Sequence, residues 1–184
     1  MKIIMPIEII LENILYIINR FRYIEENDWK SIQSIWLDFK QSEYVIYDNY
    51  KETNSESVKQ RIAKWTQFTQ SGIEHIFFTV CLGNEVIGYV SLNIEGDGYE
   101  IGYGFLDKVH GKGYARESIT AILDYMKKLG VKRIVARTAL KNVPSVRLLE
   151  SLEFKLTGTE QISFYQDSEG KDIYFEGGIF DRML

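Results

Sequence analysis

The chain has 184 residues, 45% of them hydrophobic and 26% charged, the balance of an ordinary soluble domain with one sizeable core. A net charge of −4 gives no general attraction to nucleic acid or anionic membranes, and an acidic surface would suit a cationic acceptor such as an amine. The single cysteine excludes an intrachain disulfide, and with only two histidines there is little material for zinc, so no metal is expected.

Residues 3–18 are apolar but interrupted by Pro6, Glu8, Glu12 and Asn13. That is too short and too charged for a membrane span, and it lacks a signal-peptide core. A cytoplasmic protein is expected, with residues 1–184 forming one domain; no repeat or low-complexity tract divides it. Residues 16–24 read as a first strand. Asp28 reads as an N-cap for a helix carrying Trp29, Ile32, Ile35, Trp36 and Phe39 at helical spacing. Residues 41–54, with Tyr44, Tyr47 and Tyr50, read as a loop. Residues 57–70 predict a second helix with Val58, Ile62, Trp65 and Phe68.

After Gly72 the period changes. Strands are predicted at 75–82, 86–94 and 99–106, separated by turns at Gly83-Asn84 and Gly96-Asp97-Gly98, which makes an antiparallel meander. Cys81 lies in the first of them and reads as a core thiol. Ala115, Ile119, Ile122, Met126 and Leu129 then mark one face of a long helix, with Gly130 as its C-cap. A strand at 133–139 follows, so the strand-helix-strand unit implies a parallel crossover. Pro144 suits the first turn of a short helix at 144–152. Two last strands, 154–165 and 171–179, are joined across 167–170.

The segment between the third strand and the long helix carries the most chemistry: Val109, His110, Gly111, Lys112, Gly113, Tyr114, Ala115, Arg116. Small residues at 111, 113 and 115 let main-chain N–H groups approach a ligand. A helix start leaves such groups unpaired and partially positive, which suits a phosphate or pyrophosphate. Lys112 and Arg116 add charge-assisted contacts. No Ser or Thr follows the Gly-Lys pair as in a Walker loop, and the glycine spacing is wrong for the dinucleotide fingerprint. The bland alternative is a glycine-rich turn that only starts a helix.

Four segments, this loop among them, fall in order: Glu100-Ile101-Gly102-Tyr103, the 110–115 loop, Asn142-Val143-Pro144-Ser145, and 149–154 ending in Phe154. Together they resemble the GNAT superfamily of acetyl-CoA-dependent N-acetyltransferases, most of all its ribosomal-protein N-terminal acetyltransferase branch. The resemblance covers residues 16–180 in element order. It implies an α+β (α/β) fold, a central mixed and mostly antiparallel sheet of about six to seven strands flanked by about four helices. It implies that amides from Gly111 to Arg116 hold the pyrophosphate of CoA, with His110, Lys112, Gly113, Tyr114 and Ala115 in the same loop. It also implies that Tyr103, Gly104 and Phe105 pair with the pantetheine arm in a gap beside the 133–139 strand. A main-chain N–H near Phe105 would polarise the thioester carbonyl.

The chain departs from the family at three positions. His110 replaces the usual Gln or Arg, Glu153 stands where Gly is usual before Phe154, and Leu149 replaces a tyrosine acid found in many members. The first leaves a mainly main-chain site intact; the second questions a local turn; the third removes one proton donor for the CoA thiolate.

An amine attacks a thioester only when neutral, so a nearby carboxylate that takes its proton is useful. Glu100 is the candidate base, against the alternative of a solvent-facing strand glutamate. Asn142 would bond the cofactor arm, hold a water or orient the amine, or else merely cap a helix. Ser145 would protonate the leaving thiolate, or else cap the same helix. The 44–50 loop and the 164–171 connection would border the acceptor groove, where Glu43 and Asp48 would attract an amine. No convincing nucleophile triad is present, so direct attack in a ternary complex is favoured over a covalent acetyl-enzyme. The expected function is acetyl transfer to a primary amine, on a protein N-terminus or a small molecule. The rival is a non-catalytic acyl-CoA-binding module.

Overall fold

The computed structural model describes residues 21–72 and 74–184. In chain order these form β1 (Phe21–Tyr23), α1 (Trp29–Phe39), α2 (Ser55–Ser71), β2 (His75–Leu82), β3 (Glu85–Glu95), β4 (Gly98–Phe105), α3 (Tyr114–Lys128), β5 (Arg133–Ala139), α4 (Val143–Ser151), β6 (Lys155–Gln166) and β7 (Asp172–Met183). One seven-stranded sheet runs β1-β2-β3-β4-β5-β7-β6. Every neighbouring pair is antiparallel except β4 and β5, which are parallel as the crossover requires. The expected mixed sheet and its helices are therefore present. Residues 16–20 of the first expected strand, and the apolar stretch before them, lie outside the described residues. No helix among the described residues is long and apolar enough to cross a membrane.

Alternation along the strands sorts the core into two clusters. Phe78, Val90, Leu92, Ile101, Ile134, Ala136 and Phe180 lie in one cluster with Ile119, Ile122, Leu123 and Met126 of α3 and Leu149 of α4. Phe77 and Tyr89 meet Ile32, Ile35 and Trp36 of α1 and Val58 and Ile62 of α2 in the other. Trp65 stacks on Phe77 with ring centroids 4.3 Å apart. Trp36 donates its indole N–H to the Tyr89 hydroxyl at 3.3 Å, which satisfies both buried polar groups.

Three local readings need correction. Asp28 stands at the expected N-cap position of α1, but its side chain makes no cap hydrogen bond. It closes a 3₁₀ turn (Glu26–Asp28), is already helical, and gives its carboxylate to Arg22 Nη1 and Nη2 at 2.8 and 2.7 Å and to the Glu25 N–H at 2.8 Å. A bidentate guanidinium is a stronger partner than one exposed amide. Phe68 is exposed and meets the His75 ring with centroids 5.3 Å apart, while Thr66, four and eight residues on from Ile62 and Val58, takes the buried position of α2, which starts at Ser55 and is capped by Asn54. Cys81 is half-buried, beside a register shift at Val80/Cys81, and burial raises its thiol above the usual range.

Glu153, where the resembled family has glycine, takes the left-handed conformation itself at φ 64°. The turn is kept: Phe154 N–H reaches Leu149 O at 3.0 Å, and Arg182 Nη2 stands 3.4 Å from the Glu153 carboxylate.

Candidate active site

The ladder between β4 and β5 consists of only two pairs, Tyr99 with Ile134 and Glu100 with Val135. Beyond them the strands splay, and a groove of about 1580 Å³ passes the gap. Leu106 N–H bonds to Ile87 O at 2.9 Å. Alternation from that bond turns the main-chain groups of Gly104 and Gly102 toward β3, and those of Tyr103 and Phe105 toward the splay. The N–H of Phe105 therefore points into the splay. Gly104 does not offer its N–H there, contrary to expectation, and the Tyr89 ring covers it so closely that a Cβ would lie 2.6 Å away.

At one end of the groove stands the N-terminus of α3. Gly113 occupies its N-cap position at φ 83° and no side chain caps it. Gly111 has φ 71°, and an added Cβ at either glycine meets nothing within 4 Å. The left-handed backbone thus requires glycine, while the space outside stays open to a ligand. The first helical bond runs from Glu117 N–H to Gly113 O, so the amides of Tyr114, Ala115 and Arg116 have no intrahelical partner. Gly111, Gly113, Ala115, Arg116 and His110 line the groove. Lys112 and Tyr114 do not; Lys112 is exposed beside the loop, and the Tyr114 ring is recruited to the core on the α3 side. His110 lies 3.3 Å from Phe105 O through Nε2 and 3.3 Å from Asp107 Oδ1 through Nδ1.

Where the strands part, Tyr103 from β4 and Ser145 from α4 meet, with hydroxyl oxygens 2.8 Å apart. Burial pushes the Tyr103 phenol up to about 12, with the Ser145 contact opposing the shift. Asn142 is the N-cap of α4 and accepts the Ser145 N–H at 3.4 Å. Leu149 is fully buried and contributes nothing polar.

Toward the other end the groove is made of side chains. Glu100 borders it and is held by Arg137 Nη1 at 2.9 Å. The same guanidinium reaches Glu95 at 2.8 Å and Glu160 at 3.6 Å. Burial raises Glu100 above the usual carboxylate range; Arg137 pulls it back, and the like charges of Glu95 and Glu160 add to the rise. Glu100 is thus neither a free base nor a solvated strand residue. The 3₁₀ turn Val45–Tyr47 brings tyrosines over this end: Tyr47 packs edge-on against Phe175 with centroids 5.5 Å apart, and Tyr165 donates to Val45 O at 3.4 Å. Glu43 and Asp48 also line it, Asp48 being paired with Lys51 at 2.8 Å. Among the described residues no group of three or more His, Cys, Asp or Glu is arranged to hold a metal ion.

Sequence reasoning missed Arg137, Glu160 and the Tyr103–Ser145 contact. Arg133 and Arg137 share a strand face, a visible signal. Pairing that face with Glu100 required the β4–β5 register.

The splayed parallel pair and the open, glycine-bordered helix start together leave a cleft with unpaired main-chain groups at one end. The acetyltransferase (GNAT) domain model matches residues 20–155, and the chain belongs to that family. The uncharacterized N-acetyltransferase YnaD of Bacillus subtilis is 26% identical over 159 residues, covering 84% of this chain and 89% of that protein. The uncharacterized N-acetyltransferase p20 of Bacillus licheniformis is 35% identical over 97 residues, 50% of this chain; the match spans about half of that relative, 53%. Among solved structures, the RimL ribosomal L7/L12 α-N-protein acetyltransferase in complex with coenzyme A superposes with a TM-score of 0.78 at 19% identity, covering 89% of this chain and 93% of that one. At that identity the likeness establishes the fold.

Proposed function

We propose that residues 1–184 act as one domain that moves acetyl from acetyl-CoA to a primary amine by direct attack in a ternary complex. The observation that carries this reading is the splay of β4 from β5 beside the uncapped start of α3. The residues fit the donor. Main-chain N–H groups of α3's first turn and of the loop at Gly111 and Gly113, with Arg116, would hold the pyrophosphate. Outward-facing groups of Tyr103 and Phe105 would pair with the pantetheine arm. When bound, acetyl-CoA supplies an activated acetyl thioester.

The remaining steps belong to the chain's own groups. Glu100, ionised, takes a proton from the amine directly or through water. The N–H of Phe105 donates to the carbonyl oxygen as charge develops there. Ser145 gives a proton to the departing sulfur. Tyr103 stays protonated, because burial holds its phenol far above neutrality, and its hydroxyl lies 2.8 Å from Ser145 Oγ; with Tyr103 as the donor of that pair in the reacting complex, the serine proton is free to turn toward the sulfur. That pair does the work a tyrosine at position 149 would do. Asn142 acts indirectly by fixing the turn that carries Ser145.

The acceptor's charge follows from the acidic side chains in the groove. Support for a protein N-terminus comes from the likeness to RimL, whose acceptor is a ribosomal protein's α-amine. Release of CoA with a panel of peptide N-termini and small amines tests the reading. Turnover on at least one primary amine supports it; tight acetyl-CoA binding with no turnover on any would favour the non-catalytic module that buried Leu149 suggests.

A further inference from the structure

Arg137 sits where the β4–β5 backbone pairing has stopped. Glu100 pairs with Val135, so Arg137, two residues further on, shares the face of Glu100. Glu95 reaches that face through its pairing with Gly98. Ala139 pairs with Gly177, and Gly177 with Glu160, which brings Glu160 to it as well. One guanidinium thus collects carboxylates from β3, β4 and β6. Its side chain spans the gap that the main chain leaves open.

This arrangement answers a chemical difficulty. A base must be ionised and aimed. Glu100 is half-buried and faces two like charges, both of which favour its neutral, useless form. Other polar and charged groups near it are engaged elsewhere. His75 of β2 bonds to Asn93 at 2.9 Å, and Asn93 is the cross-strand partner of Glu100. Arg133, on the same face, is held by Asp97 at 3.3 Å and Asp181 at 2.5 Å. Lys51, across the groove, is paired with Asp48.

We propose that Arg137 is the positioning residue of the acceptor site: bridging from β5 to β4, it holds the Glu100 carboxylate ionised and pointed into the groove, while Glu95 and Glu160 fix the guanidinium from its other sides. This rests on the reading of Glu100 as base.

The test combines the pH profile of kcat/KM with a ¹³C NMR titration of the Glu100 carboxyl, in wild type, Arg137→Gln and Arg137→Lys, with Glu100→Gln as reference. In Arg137→Gln, the Glu100 titration and the acid limb of the profile should both move up by about one pH unit, the low end for losing a neighbouring opposite charge. The rate lost at low pH should return as pH rises. Arg137→Lys keeps the charge but loses the fork, so its limb should stay near wild type while kcat falls several-fold. An unmoved Glu100 titration in Arg137→Gln, with activity lost equally at all pH, would overturn the proposal. If the glutamine variant does not fold, Arg137→Lys with unchanged kcat would overturn it. Full turnover by Glu100→Gln would instead bring down the base assignment and this proposal with it.

Discussion

The two ends of the groove are built from different materials. The end at α3 is made of main chain: amides left over by a helix start, two left-handed glycines, and open space where side chains would stand. The end at Glu100 is made of side chains drawn from β3, β4, β5, β6 and the 41–54 segment. A main-chain site tolerates changes of side chain but not of backbone geometry. A side-chain site behaves the other way. One end therefore suits a constant donor and the other a variable acceptor.

Substitutions at the two ends should separate cleanly. The largest effect is expected from Glu100→Gln, where loss of general base catalysis lowers turnover by about 10²–10⁴-fold. Coenzyme binding by that variant, followed by calorimetry, should match wild type. Gly113→Val should do the reverse. Forcing a branched residue into the left-handed region costs about 1–2 kcal/mol of stability, read by denaturant melts. Distortion of the amides should weaken CoA binding about tenfold or more, or ~1.4 kcal/mol.

Next in size is the pH dependence. A base must be ionised, so the rate falls as pH drops through the value for Glu100. Burial raises that value, which sets the acid limb of kcat/KM higher than an exposed glutamate would. A limb that persists unchanged in Glu100→Gln would erase the contrast between the ends. Tyr103→Phe removes the hydroxyl that meets Ser145 Oγ and should lower kcat several-fold with KM for acetyl-CoA unchanged.

The smallest effect is expected at Glu153→Gly, outside both ends. Relief of the left-handed strain, about 1 kcal/mol, is offset by the greater freedom of the unfolded chain, about 0.4–1 kcal/mol. Melting should shift little, and turnover should not change.

The same division explains what the sequence discloses. Gly111, Gly113 and the periodic helix behind them lie within a few residues of each other, so the main-chain end is legible in one segment. The meander, the crossover and β5 are legible for the same reason: each is a local pattern of period or turn. Glu100 stands out only as an acid on the right strand. Its partner Arg137 lies on the far side of a helix and becomes its neighbour through the parallel register at Glu100 and Val135. Tyr103 and Ser145 likewise meet only through packing of α4 on the sheet. Asp28 marks the start of α1, but its carboxylate is taken by Arg22 of β1 and not by the helix amides, a partner that only the fold supplies.

The central claim is that the amides at the start of α3 grip a diphosphate. Calorimetric titration of wild type and Gly113→Val with CoA tests it most directly. A saturable one-site heat in wild type, markedly weakened in the variant while the fold persists, is the predicted result. No heat in wild type, or equal affinity in a folded variant, would contradict it.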